Sequence, residues 1–156
     1  TEPRNYGAES LDHYAGLQRP YKSADAPLAS VEELMMIKGY TPDVFRLLKP
    51  HVTVYNSSRR VNLNTARRAV LKALSEEMTE EMVTGIIEYR MAEPFRSVSD
   101  IMKVPGFETV GIELQDRMTG KSDLFRIGSR ATAGEAVREV EAVVRAGGEV
   151  LYWRHR

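Results

Sequence analysis

A diverged internal repeat constrains the fold of this chain more than any other feature of its sequence. The segment Leu28–Phe45, LASVEELMMIKGYTPDVF, parallels the segment Phe95–Val110, FRSVSDIMKVPGFETV. Both run from an apolar residue through serine, valine and an acid to apolar residues, a glycine and an aromatic ring. Because one such unit is too small to bury its own apolar face, two similar helical hairpins are expected to stack on a shared core.

Helix-start and helix-stop residues support a hairpin in each repeat. Ser30 and Ser97 each stand three residues before an acid, which is the spacing of a capping box. Gly39 and Gly106 follow the apolar residues, where glycine ends a helix at little conformational cost, so each is expected in a tight turn between helices. Thr41, which precedes a proline, is expected to cap the next helix.

The segment Val61–Ala66, VNLNTA, closes the first hairpin unit and opens the next. Its alternation of apolar residues with asparagines predicts a short extended run. Asn64 or Thr65 is then expected to cap a helix. The apolar positions of that helix follow one buried face and are Ala66, Ala69, Val70, Ala73 and Leu74.

Local patterning predicts three further features between residues 41 and 92. Thr79 is expected to cap a helix whose first turn carries Glu80 and Glu81, since carboxylates suit the positive end of a helix. The alternating run His51–Tyr55 predicts a short strand. The apolar residues of the helix after Thr41 are expected to bury inward, and these are Val44, Phe45, Leu47 and Leu48.

Changes in composition divide the chain into three parts. Residues 1–27 are rich in Pro, Gly, Ser, Ala and Tyr and predict an extended segment of the helical domain, with a short helix around Glu9–Ala15 and a turn at Asp25–Pro27. Residues 28–120 contain the repeat and predict a domain of tandem helical hairpins. Residues 121–156 predict a small antiparallel sheet, so the fold class is α+β.

The C-terminal part carries two clear strand signals and one ambiguous run. Leu124–Ile127 and Val150–Trp153 are rich in β-favouring residues. Val137–Arg145 fits helical spacing as well as a strand, so periodicity alone does not decide it. Glycine-containing turns on both sides favour a strand, which gives a three-stranded meander.

Charge and cysteine content exclude several functional classes. The chain has 22 Lys and Arg against 22 Asp and Glu, so its net charge is zero. A protein devoted to nucleic acid is usually basic, because neutralising phosphates supplies most of its non-specific affinity. The chain has no cysteine, which excludes disulfides, thiol catalysis and cysteine-ligated zinc. No apolar run approaches the roughly 20 residues that a membrane span needs.

No arrangement of residues predicts catalysis, a cofactor or a metal. The histidines have no ligand spacing, and no nucleophilic triad, phosphate loop or zinc motif is present. These histidines are His13, His51 and His155. An acidic cluster brackets the predicted cap at Thr79, where carboxylates stabilise the helix end. Its members are Glu76, Glu77, Glu80 and Glu81. We therefore expect no enzyme and no catalytic, cofactor-binding or metal-ligating residue.

The stretch from Val61 to Phe107 resembles the helix-hairpin-helix (SAM-like) modules of competence-type DNA-binding proteins. A basic cluster without an intervening acid supports that alternative, and consists of Arg59, Arg60, Arg67, Arg68 and Lys72. Two glycines flanking one residue usually let the hairpin amides of that family approach a phosphate. Here the second glycine is absent after Gly39 and after Gly106, and Glu108 would repel phosphate. DNA binding therefore remains the alternative function, and nucleic acid is not the expected partner.

A series of sequence blocks over nearly the whole chain resembles one family. In chain order the blocks include Pro3-Arg4, Gly7-Ala8-Glu9, Pro20-Tyr21-Lys22, Ser30–Leu34, Asn62–Ala66, Asp123–Ile127 and Val150–Arg154. Each block is weak alone, but their order is specific. They resemble general secretion pathway protein K, the large minor pseudopilin of type II secretion systems.

The resemblance implies a subunit at the tip of the pseudopilus, which assembles with minor pseudopilins of the I and J types and assists protein export across the outer membrane. It also implies a single-pass anchor in the inner membrane, formed by an N-terminal part not contained in this chain, with this portion in the periplasm. The C-terminal sheet would belong to a pilin-like fold and expose an edge and apolar surface. Some family members bind calcium, but no ligands for it can be matched to residues here.

Overall fold

The computed structural model describes residues 11–22 and 26–155. The chain divides into two compact units, residues 1–54 and residues 55–156. This division lies inside the segment 28–120, so the borders expected after residues 27 and 120 stay predictions. The predicted helix start at Glu9 lies outside the described residues, as does the first residue of the predicted turn at Asp25–Pro27.

The first unit contains only short helices among its described residues. These are α1 (Leu11–Ala15), a 3₁₀ helix (Val31–Met36), α2 (Pro42–Leu48) and a 3₁₀ turn (Lys49–His51). The strand predicted over His51–Tyr55 is wrong, since residues 52–55 have no strand conformation. Alternation alone does not make a strand, because a strand also needs a neighbour for its backbone hydrogen bonds.

Helix α2 buries less than its sequence suggests. It has no fully buried residue, and Leu47 is 71% exposed and Val44 43% exposed. The prediction that both turn inward is therefore wrong, while Phe45 and Leu48 are half-buried. The two pairs are offset by one residue, which is about 100° around a helix, so a single packed face cannot hold all four side chains.

The helical part of the second unit surrounds one apolar core. Its helices are α3 (Arg68–Lys72), α4 (Glu80–Ala92), a 3₁₀ helix (Val98–Lys103), α5 (Val110–Glu113) and a 3₁₀ turn (Gln115–Arg117). The core residues are Leu63, Leu71, Leu74, Met78, Met82, Val83, Ile86, Phe95, Ile101, Val104, Phe107, Leu114 and Met118. The second copy of the repeat thus supplies four core side chains, including both of its phenylalanines.

Helix α3 begins later than predicted. Its N-cap is Arg67, which makes no side-chain capping bond. The predicted caps Asn64 and Thr65 are therefore wrong, because both residues precede the helix in a turn. The buried face also differs from the predicted one, which did not include Leu71. Leu71 and Leu74 are buried, whereas the alanines predicted on that face, Ala69 and Ala73, are exposed.

A two-residue parallel bridge closes the helical part. Strand β1 (Val61–Asn62) pairs with β2 (Met118–Thr119), with Val61 opposite Met118. The Leu63 amide extends the pairing by donating to the Thr119 carbonyl at 2.9 Å. The extended run at Val61 was predicted, but its partner has no strand signal of its own.

The C-terminal meander is confirmed. Strands β3 (Leu124–Ala133), β4 (Ala136–Arg145) and β5 (Val150–His155) form an antiparallel sheet in the order β3-β4-β5. The ambiguous run before Arg145 is a strand. Strand β3 continues beyond the predicted Ile127, because its pairing with β4 runs without interruption to the turn at Gly134.

Candidate functional site

The two repeat glycines lie in turns between helices. Gly39 has a φ of +93° and follows Val31–Met36, whereas Gly106 has a φ of +89° and follows Val98–Lys103. Both values lie in the left-handed region that favours glycine. The surroundings differ, because a Cβ on Gly106 would lie 3.2 Å from Met82 Cγ, while one on Gly39 would meet no described atom within 4 Å. The second hairpin turn therefore packs against α4.

Carboxylates cap the 3₁₀ helices of both repeats. The Ser30 amide donates to Glu33 at 3.1 Å, and the Ser97 amide donates to Asp100 at 2.9 Å. Lys103 lies 2.7 Å from Asp100. The hydrogen bond from Lys103, followed by that from the Ser97 backbone, holds the pKa of Asp100 well below its usual range. The cap is therefore charged at neutral pH.

Threonine hydroxyls occupy the N-cap positions of α2 and α4. Thr41 accepts from the Val44 amide at 3.3 Å, and Thr79 accepts from the Met82 amide at 3.2 Å. Each bond satisfies one of the backbone donors that a helix start leaves without a partner. The pKa of Glu81 is lowered by a backbone hydrogen bond and then by the Thr79 side chain. Glu81 therefore stays ionised at the start of α4.

Asn64 acts as a tertiary clamp and not as a helix cap. Its Oδ1 accepts from the Phe95 amide at 2.8 Å, and its Nδ2 donates to the carbonyls of Phe95 and Gly120, both at 2.9 Å. Asn62 supports it, because its Oδ1 accepts from the Asn64 amide at 2.9 Å while its Nδ2 donates to Ser122 Oγ at 2.7 Å. The two asparagines thus tie three distant segments together.

Arg90 and Gly120 complete this junction, and neither was singled out from the sequence. Arg90 Nη1 donates to the carbonyls of Leu63 and Ala66, both at 2.8 Å. A Cβ on Gly120 would lie 2.5 Å from the Phe95 carbonyl oxygen, so the chain can pass there only without a side chain. Sequence spacing carries no signal for contacts between residues so far apart in the chain.

Two of the five side chains in the basic cluster make polar contacts with other residues of the second unit. Arg68 lies 3.0 Å from Glu80 and donates to Thr84 at 3.1 Å, and Lys72 donates to the Met78 carbonyl. Arg68 thus forms an ion pair with one member of the acidic cluster at the start of α4. The other members have no ion pair among the described residues and are exposed, namely Arg59, Arg60 and Arg67. The exposed part of the cluster is therefore smaller than the sequence suggests.

Residues 11–22 and 26–155 contain no group of three or more His, Cys, Asp or Glu side chains that could hold a metal ion. Calcium therefore remains an expectation from the family resemblance, without located ligands. In the same part of the chain, no helix combines the length and apolar character needed to cross a membrane.

The C-terminal sheet has one mixed and one apolar face. On the mixed face Glu141 lies between Arg126 and Arg154, at 3.5 Å and 3.3 Å, and the buried Val143 stands beside Tyr152. On the opposite face Ile127, Ala142 and Trp153 stand side by side across all three strands. Ile127 is 50% exposed and Trp153 58% exposed. The neighbouring large apolar residues Phe125 and Val150 are also exposed, so this sheet presents an uncovered apolar surface.

Two family models match this chain in order. Both describe the type II secretion system protein K, one over residues 1–57 and the other over residues 61–120. The chain belongs to the protein K family. A curated relative, the type II secretion system protein K of Pectobacterium carotovorum subsp. carotovorum, is 30% identical over 93 residues, which cover 56% of this chain and 28% of the relative. The chain thus spans just over a quarter of that relative's length.

A solved structure shares the fold. It is a chain of the GspK-GspI-GspJ complex from the type 2 secretion system of enterotoxigenic Escherichia coli. The TM-score is 0.76 at 20% sequence identity, and the match covers 93% of this chain and 54% of the solved one. The combination of helical hairpins with a small antiparallel sheet is therefore a fold already seen in a solved structure.

Proposed function

We propose that this chain is the periplasmic part of a minor pseudopilin at the tip of a type II secretion pseudopilus, without enzymatic activity. The observation that carries the proposal is the pair of protein K models, which match 1–57 and 61–120 in chain order. The fold match over 93% of the chain supports it. The helical hairpins then serve as packing units.

The proposed partners are minor pseudopilins of the I and J types. The similar solved chain comes from a complex named for K, I and J subunits, which supports this choice. The proposal also includes an anchor in the inner membrane, supplied by a part of the protein outside these 156 residues. Calcium binding is retained only as an expectation from the family resemblance.

The uncovered face of the sheet supports a pilin-like architecture. Phe125, Ile127 and Trp153 expose about half of their surface, which is unusual for a stable isolated sheet. We propose that an apolar helix of the same protein covers this face in the assembled subunit. Charged residues replacing Ile127 or Trp153 should then impair assembly of the full-length protein.

Reconstitution with the proposed partners tests the function. The chain is mixed with purified periplasmic domains of the I-type and J-type pseudopilins of the same organism, and the mass of the product is measured by size-exclusion chromatography with light scattering. We expect a complex heavier than any single component. In cells, deletion of the full-length gene should block export of type II substrates, and the intact gene should restore it. A negative result in either experiment would refute the proposal.

The DNA-binding alternative receives no support from the comparisons. Titration with labelled duplex DNA at low and high salt tests it directly, because phosphate contacts make affinity fall steeply with salt. Arg59→Ala with Arg67→Ala is the informative variant, since these side chains are exposed, whereas replacing Arg68 would also break its contact with Glu80. Micromolar binding that this variant abolishes would favour the alternative.

A further inference from the structure

An open groove lies between α4 and the second hairpin turn. Its volume is about 690 Å³, and the residues that line it include Glu80, Glu81, Met82, Glu88, Pro105 and Gly106. Two glycines shape it. A Cβ on Gly85 would lie 2.8 Å from Val104 Cγ1, and a Cβ on Gly106 would lie 3.2 Å from Met82 Cγ. Glycine at both places lets the hairpin lie close to α4 and leaves an apolar floor.

Carboxylates surround this apolar floor. Glu80 is paired with Arg68, and the charge of Lys72 helps to lower the pKa of Glu81. No described cation lies within ion-pair distance of Glu81 or Glu88. Favourable placement at a helix start accounts for Glu81 but not for Glu88, which lies two turns further along the same face, because the effect fades within the first turn. The groove therefore carries more negative charge than α4 needs for its own stability.

The second hairpin turn adds a further negative charge beside the groove. In a phosphate-binding hairpin the turn amides point at an anion. Here the Gly106 amide donates to the Glu108 carboxylate at 3.4 Å, so an acid of the same turn occupies that donor. The turn therefore presents negative charge where a phosphate-binding hairpin presents donors, and its electrostatics suit a cation.

We propose that this groove receives an arginine or lysine side chain from a neighbouring pseudopilin. The aliphatic stem of such a side chain would lie on the Met82 and Pro105 floor, and its charged end would reach Glu81 and Glu88. Charge complementarity selects a basic protein segment over an anionic ligand. This inference rests on the proposed function, which supplies the neighbouring subunit.

The first experiment compares two variants of equal charge change in binding the I-type and J-type domains. The groove variant is Glu81→Gln with Glu88→Lys, and the control is Glu135→Gln with Glu113→Lys, whose exposed carboxylates lie outside the groove lining. We expect the groove variant to bind about tenfold more weakly at low salt, with a smaller difference at high salt, and the control to match the wild type. Equal affinities of the two variants would overturn the inference. If the wild type itself bound neither domain, the proposed function would be refuted.

The second experiment decides the inference without the partners. The ¹⁵N-labelled chain is titrated with a blocked tetrapeptide of alternating leucine and arginine, with a leucine and glutamine peptide as control. The amide signals of Gly85 and Gly106 should shift with the arginine peptide only, and the groove variant should abolish the shifts. Shifts spread evenly over the acidic surface would contradict the proposal. Equivalent shifts with calcium ions at micromolar concentration would also contradict it, since the groove would then be a cation site.

Discussion

Replacing Asn64 with alanine should destabilise the second unit more than a change at a half-buried turn residue normally does. The side chain makes three hydrogen bonds, two with the Phe95 backbone and one with the Gly120 carbonyl. Each typically contributes about 1 kcal/mol net, and a buried backbone group left without a partner costs more. Water can replace part of the loss at this half-buried site, so we expect a decrease of about 2–4 kcal/mol in the free energy of unfolding.

An aspartate at the same position adds a dependence on pH. The carboxylate of the Asn64→Asp variant would keep the bond from the Phe95 amide but face two carbonyl oxygens, which raises its pKa in the folded state. A group whose folded pKa is raised stabilises the protein below its unfolded pKa, and this stabilisation is lost as the pH rises through the folded pKa. The deficit of Asn64→Asp relative to the wild type should therefore be larger at pH 7 than at pH 4.

Urea unfolding followed by tryptophan fluorescence measures both effects. Trp153 is the only tryptophan and lies in β5 of the same unit, so it reports the unfolding of that unit. Asn56→Ala is the matched control, because Asn56 bonds only within its own turn, to the Arg60 carbonyl and Ser58. The control should lose less than about 1 kcal/mol. If Asn64→Ala lost no more than the control, the clamp would have no energetic role.

Three further changes probe the second unit, each measured by the same unfolding assay. Gly120→Ala should cost about 1–3 kcal/mol, because its Cβ would meet the Phe95 carbonyl at 2.5 Å, and a neutral result would contradict that close approach. Leu71→Ala should cost about 2–5 kcal/mol, since Leu71 is fully buried. Asp100→Asn should lower the free energy of unfolding at pH 7, where Asp100 is ionised beside Lys103. The folded pKa of Asp100 is depressed below 3.8, so the stability difference between wild type and variant should be full at neutral pH and shrink as the pH falls below about 4. A constant difference across that range would refute this role for the carboxylate.

The features that sequence reasoning located well are those made by near neighbours in the chain. Local contacts within four residues form the turns at Gly39 and Gly106 and the cap at Thr79, so a short stretch of sequence is enough to predict them. The three-stranded meander belongs to the same class, because short turns set the register of antiparallel strands. The strand predicted over His51–Tyr55 is wrong, because an alternating sequence does not supply a partner strand.

The groove and the junction show what local patterns omit. An isolated glycine within a helical pattern, such as Gly85, often marks a close packing contact, so a signal for the groove was present in the sequence. Its partner Val104 lies nineteen positions away, however, and only the packing of the hairpin on α4 reveals the contact. The exposure of Val44 and Leu47 was equally invisible, because a helical pattern does not show which of two adjacent faces packs.

By itself, the sequence determined the family, the repeated hairpins, their glycine turns and the strand-rich C-terminal part. These features depend on the order of motifs and on local backbone preferences, which can be read from neighbouring residues. Only the tertiary structure decided the role of Val61–Ala66. Asn64 looked like a helix cap, yet its partners at Phe95 and Gly120 lie 31 and 56 residues away. Such bonds are chosen by the packing of the whole unit, since a side-chain amide binds whichever backbone groups the fold leaves without partners.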